Sequence, residues 1–244
     1  MKSAAYNIST ATLRTSINVG TYSGSSTNIH GAMQVVFNND GTKMFIADHN
    51  RNIIEWTLTT PYDIDTASTT FNGQRFDTGA NQRRPTSVAF NNDGTKMFVT
   101  GNHKAENPQS IHEYTLDTPF VITSGVTHVQ EVQPDDLQSD YVDGIVFNYD
   151  GTKMFITSGG ESGGDNKIRQ YKLTTAFSIA TLSLEGTVEL SNYSGLGNGR
   201  ETAFNSDGSK MFVIDQDAEV YEFDLTCNWS IIDGACDDPI TTSD

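Results

Sequence analysis

A ten-residue pattern occurs four times in this chain. Phe37-Asn38-Asn39-Asp40-Gly41-Thr42-Lys43-Met44-Phe45-Ile46 recurs at 90–99, 147–156 and 204–213, in steps of 53, 57 and 57 residues. A unit of this size cannot bury its own apolar face, so the copies must stack and share one continuous core.

The second copy shows what is being stacked. Ser87-Val88-Ala89-Phe90 is a short apolar run, Asn92-Asp93-Gly94-Thr95 is a turn, and Lys96-Met97-Phe98-Val99-Thr100 is a second run. The pair reads as a hairpin, because Gly94 accepts a positive φ and the Asp93 carboxylate can bond the backbone just beyond it. Ile111 to Leu116 alternates with Tyr114 and Leu116 on one face, Asp117-Thr118-Pro119-Phe120 turns the chain, and residues 126–132 form a fourth, more polar run. The Met-Phe-Val and Met-Phe-Ile runs are apolar without alternation, as in a strand covered on both faces. Four antiparallel strands per unit, innermost most apolar and outermost most polar, make the blade of an all-β propeller with four blades. In the third strand Trp56, Tyr114, Tyr171 and Phe223 form one column, and Leu58, Leu116, Leu173 and Leu225 the next. The columns read as packing between blades rather than as a ligand platform.

The two ends look complementary. Tyr6-Asn7-Ile8 matches Tyr62-Asp63-Ile64, so residues 12–19 read as an outer strand, while the last unit stops after its third strand. Closure would place 12–19 beside 219–225 and remove both sheet edges. The blades are then 32–77, 86–133, 143–190, and 200–225 with 12–19, within a single propeller spanning 1–231 and followed by a tail, 232–244. The alternative is pairing of the spare strand with another molecule.

The formal charge of −16 argues against nucleic acid, whose phosphates are bound by Lys and Arg, and against an anionic membrane surface. No apolar run reaches spanning length, so no membrane insertion is expected. The N-terminal residues lack the apolar core of a signal peptide. Cys227 and Cys236 are close enough in sequence to bridge a small loop, and their spacing matches no zinc motif.

The phrase Phe-Asn-x-Asp-Gly-Thr-Lys-Met-Phe followed by Glu-Tyr-Thr-Leu-x-Thr-Pro-Phe resembles a propeller repeat of marine bacterial proteins and of bacteriophage tail-fibre and virion proteins. More distantly, its Asp-Gly hairpin is similar to that of the YncE, TolB and lactonase-type propellers. The resemblance implies a virion-surface or extracellular location and a host-attachment or structural role, with other virion or surface proteins, or a cell-surface glycan, as partners.

In a propeller the loops from strand two to three and from strand four to the next strand one gather on one face. These are the loops that differ between repeats, and a constant frame with variable loops is how binding sites are presented. Met33, Thr86, Asp143 and Arg200 begin the inner strands, with Gln34, Ser87, Gly144 and Glu201 beside them. The ligand-binding candidates are Tyr22, Met33, His49, Arg84, Tyr141, Asp143, Tyr193, Arg200 and Glu201. A hydrolase or lactonase-like reading would use Asp143, Glu201, His30 and His49 as an acid–base pair or metal site at the channel mouth. Against it, no nucleophile elbow, zinc helix or phosphate loop is present, and Asp143 and Arg200 can simply pair. No cofactor is expected; the acidic loops would suit calcium, but the Asp-Gly turns lack the first and last ligands of an EF-hand.

Overall fold

The computed structural model describes residues 13–17, 31–66, 74–79, 81–82, 84–101, 110–137, 141–159 and 166–232. Four antiparallel sheets are arranged as a β-propeller. The first blade holds β1 (Ala32–Phe37), β2 (Lys43–Asp48), β3 (Asn52–Thr57) and β4 (Arg75–Asp77); the second holds β5 (Pro85–Phe90), β6 (Lys96–Gly101), β7 (Ile111–Leu116) and β8 (Val126–Val132). The third holds β9 (Val142–Phe147), β10 (Lys153–Ser158), β11 (Lys167–Leu173) and β12 (Leu182–Glu189); the fourth holds β13 (Gly199–Phe204), β14 (Lys210–Asp215) and β15 (Val220–Asp224). Short 3-10 turns are the only helical segments among the described residues.

The repeated turn forms as its residues require. In the first copy the Asp40 carboxylate accepts the Thr42 amide at 2.9 Å and the Thr42 hydroxyl at 2.6 Å. Asn38 Oδ1 accepts the Lys43 amide at 2.8 Å, and Gly41 takes φ +70°. Over each turn glycine lies an aromatic ring that is itself left-handed: Tyr62 at φ 58°, Phe120 at 55°, Phe177 at 51° and Trp229 at 54°. A Cβ on Gly41, Gly94, Gly151 or Gly208 would come within 2.2–2.3 Å of that ring. Only glycine lets the ring close over the hairpin, and the covered ring holds its own residue in a conformation that costs about 1–2 kcal/mol.

Neighbouring blades meet through one repeated set of contacts. Phe45 packs on Phe90, Phe98 on Phe147 and Phe155 on Phe204, with centroids 4.5–4.7 Å apart. Lys43 Nζ donates to the Phe120 carbonyl and Lys96 Nζ to the Phe177 carbonyl, each at 2.7 Å, while pairing with Glu55 and Glu113 of their own blades. Those carboxylates accept the Ile122 and Ile179 amides of the next blade at 3.4 Å. In the third blade Gln170 Oε1 takes the Ile231 amide at 2.9 Å. The β2, β6 and β10 strands are consequently covered on both faces, as their unbroken apolar runs predict. Tyr114 and Tyr171 are buried between blades, whereas Trp56 is buried in the first blade's own cluster, with Ile17 against it.

The seam between the fourth and first blades differs. Val35 of β1 is 53% exposed, whereas its counterparts Val88, Ile145 and Thr202 are at most 3% exposed. On β14, Ile214 is 41% exposed, against 0–1% for Thr100 and Thr157. The fourth sheet has three strands among the described residues. The pairing expected for 12–19 beside 219–225 is not what residues 13–17 make. They take no strand conformation, and Arg14 instead bridges Asp63 and Asp65 at 2.8 and 2.9 Å. Ile17 packs on the Met44, Ile46 and Trp56 cluster of the first blade. One guanidinium between two carboxylates and one apolar side chain on an open apolar face account for that placement. The remainder of 12–19 lies outside the described residues.

Cys227 is disulfide-bonded. The only other cysteine of the sequence, Cys236, lies outside the described residues, as does nearly all of the 232–244 tail.

Candidate functional site

The inner strands of all four blades line a cavity of about 500 Å³, its wall made of Val36, Ala89, Val146 and Ala203, with Glu201 and Gln34 toward its upper end. Asn39, Asn92, Tyr149 and Ser206 of the Asp-Gly turns line its lower end; the loops that differ between blades lie at the opposite end of the inner strands.

Three of the expected site residues meet where β9 and β13 begin, Glu201 alone among them lining the cavity. Asp143 is buried; its Oδ2 accepts the Gly159 amide at 3.0 Å. Arg200 on the adjacent blade approaches its other oxygen at 3.6 Å. Glu201 turns back through the space left by Gly144, where a Cβ would come within 2.6 Å of Glu201 Oε1. It accepts the Thr202 amide at 3.2 Å and a bond from Ser87, two blades away. The Ser87 hydroxyl in turn accepts the Ile145 amide at 3.1 Å. Burial, with a smaller contribution from the nearby Asp143, pushes the Glu201 carboxyl up to about 8 against the bonds from Thr202 and Ser87. At neutral pH it is mainly a neutral acid, able to donate a hydrogen bond. The site therefore offers two carboxyl groups and one partly exposed guanidinium. That set can hold a polyhydroxylated or amide-rich ligand by directional bonds.

The other candidates are distributed around the upper face. Met33 begins β1 and is partly exposed. His49 follows β2, half-buried, its amide bonded to the Gly31 carbonyl at 3.1 Å. Arg84 is exposed before β5, its amide on Gln82 Oε1 at 3.3 Å. Tyr141 is half-buried before β9. Tyr193 is exposed yet stacks edge-on against Phe223 at 5.0 Å, which ties it to the fourth blade's third strand. Tyr22 and His30 lie outside the described residues. No cluster of three or more potential metal ligands occurs among the described residues, and no helix there is long and apolar enough to cross a membrane.

Two features were not singled out from the sequence. His112 is buried, with Ser110 Oγ at 2.9 Å from Nε2 and His128 Nε2 at 3.2 Å from Nδ1. Burial, opposed by Glu131 and assisted by His128, lowers its imidazole to about 4, so it is neutral and structural at ordinary pH. Its position inside an alternating strand was the available signal. The recurring Glu55, Glu113, Gln170 and Glu222 between apolar neighbours marked the interblade clasp.

No protein-family model matches the chain, and no curated protein matches it. Solved structures do. A candidate 6-phosphogluconolactonase of Bacteroides fragilis NCTC 9343 superposes with a TM-score of 0.51 at 15% identity, over 85% of this chain and 54% of that one. A similar candidate enzyme of Bacteroides uniformis ATCC 8492 gives 0.50 at 15% identity, over 82% and 55%. A chain of a mitotic checkpoint complex gives 0.52 at 14%, over 85% and 52%. The chain thus spans about half the length of the structures it matches. At these identities the likeness shows a shared β-propeller fold, lactonase-type propellers included, and nothing finer.

Proposed function

We propose that this protein is a non-enzymatic structural or attachment module of a virion or cell surface. It holds a surface protein or a glycan on its upper face. One observation carries the reading: the four blades share their turn and strand pattern, yet the residues that begin the inner strands, Met33, Thr86, Asp143 and Arg200, differ in every blade. A shared frame whose rim varies from blade to blade suits ligand recognition. The acidic surface and the disulfide-bonded Cys227 suit an oxidising, extracellular setting. The Phe-Asn-x-Asp-Gly-Thr-Lys-Met-Phe repeat supports the tail-fibre or virion resemblance. Fractionation of the source tests this: the protein should sit on particles or the outer surface at fixed stoichiometry, and a purely cytosolic pool would contradict it.

A second reading has one observation in its favour. Glu201, a carboxyl of raised pKa beside Asp143, could serve as a general acid in a lactonase-like hydrolase. Lactone hydrolysis by the wild type, abolished in Glu201→Gln, would establish it.

A further inference from the structure

We infer that the open seam is an interaction surface for a second copy of this chain, and that two copies close one eight-bladed ring. The same contacts recur at the three internal blade boundaries. Each boundary uses a phenylalanine of strand two and a Glu or Gln of strand three on one side. The other side supplies a phenylalanine of strand one and an isoleucine amide after strand three. The fourth blade carries the first half of this set as Phe212 and Glu222, with no next blade against them. The first blade carries the second half as Phe37 and the Ile64 amide, likewise unmatched among the described residues. Each free face therefore repeats a face that is already covered inside the molecule, and its partner has known chemistry: the other free face.

One observation selects a second copy over self-closure. Val35 and Ile214, which self-closure would bury, are 53% and 41% exposed. Their counterparts at the boundary of the third and fourth blades, Thr202 and Thr157, touch hydroxyl to hydroxyl at 2.7 Å. A two-fold then supplies both missing boundaries at once, and the head-to-tail contact closes instead of propagating. Residues 13–17 already lie on the receiving face, with Ile17 against Met44, Ile46 and Trp56. Phe76 of β4 occupies the matching place against Tyr114 of the second blade, at 5.1 Å. The segment thus sits where the outer strand of an incoming three-stranded blade belongs.

The experiment uses the full chain. Native mass spectrometry and sedimentation at micromolar concentration should give twice the 26.7 kDa of one copy. Val35→Asp and Ile214→Arg should each weaken the dimer at least about a hundredfold, by placing a charge in an apolar contact, with circular dichroism unchanged. In the variant carrying Val35→Cys and Ile214→Cys, oxidation should yield a covalent dimer on a non-reducing gel. A wild-type monomer, a dimer indifferent to both charge variants, or an intramolecular Val35–Ile214 crosslink would each overturn the inference.

Discussion

The carboxyl of Glu201 occupies the space that a side chain at Gly144 would fill, 2.6 Å from the position of the missing Cβ. Through that gap it reaches the Ser87 hydroxyl of a third blade. Its raised pKa has a definite sign in stability. Protonated when folded up to about 8 and ionised when unfolded above 4.5, it contributes in full below the lower value. The contribution is lost as pH rises through the higher one. Glu201 keeps some solvent contact, so the slope should stay below the limit of about 1.4 kcal/mol per pH unit. Urea melts from pH 5 to 8 should show the decline, and Glu201→Gln should flatten it. Gly144→Ala should flatten it too, by expelling the carboxyl at small cost, since only the end of a flexible side chain must move.

At the acid end the sign reverses. Bonds from the Thr42, Thr95 and Ser209 side chains, then from their amides, hold the turn carboxylates of Asp40, Asp93 and Asp207 below the usual 3.8. A lowered folded pKa contributes stability above the unfolded value and loses it as pH falls. Melting temperature should therefore drop below about pH 4, and Asp93→Asn should reduce that drop.

Gly151→Ala should be among the most damaging single changes in the protein. It forces a side chain into φ +72° and drives its Cβ to 2.2 Å from the Phe177 ring. Strain of about 1–2 kcal/mol plus overpacking of about 1–3 kcal/mol predicts a loss of about 2–5 kcal/mol in denaturant melts. A loss under 1 kcal/mol would show that the ring does not close the hairpin.

The interblade clasp gives a fourth test. Glu113 is 2% exposed and serves both Lys96 at 2.8 Å and the Ile179 amide at 3.4 Å. Glu113→Ala strands a half-buried ammonium and a buried amide together, so a cost of about 3–5 kcal/mol is expected. Glu113→Gln, which is the natural state at Gln170, should cost far less.

The sequence exposed the frame because every packing demand in it is periodic. Phe45, Phe98 and Phe155 answer the same neighbour three times, and the Asp-Gly turns carry their own geometry. Asp143 and Arg200 were legible as a pair because they share a register position on adjacent blades. The open seam was not, because blade complementarity fixes what touches what and leaves the angle between blades to small packing differences. Nor was the path of Glu201, which depends on the absent side chain of Gly144 on the blade between it and Ser87. The left-handed Phe120 and Phe177 follow from ring closure over glycine, a contact between residues distant in the repeat.

The most direct test of the account compares the two faces of the molecule. Binding to a glycan array and to intact cells of the source or its host should be measured for the wild type, for Arg200→Ala with Tyr193→Ala, and for Tyr149→Ala. Tyr149, on the turn side, is 76% exposed. The account predicts saturable binding that falls at least about tenfold, roughly 1.4 kcal/mol, in the upper-face variant, with a native circular-dichroism spectrum, and stays at wild-type level in Tyr149→Ala. Equal binding by all three proteins, or loss only on the turn side, would contradict it.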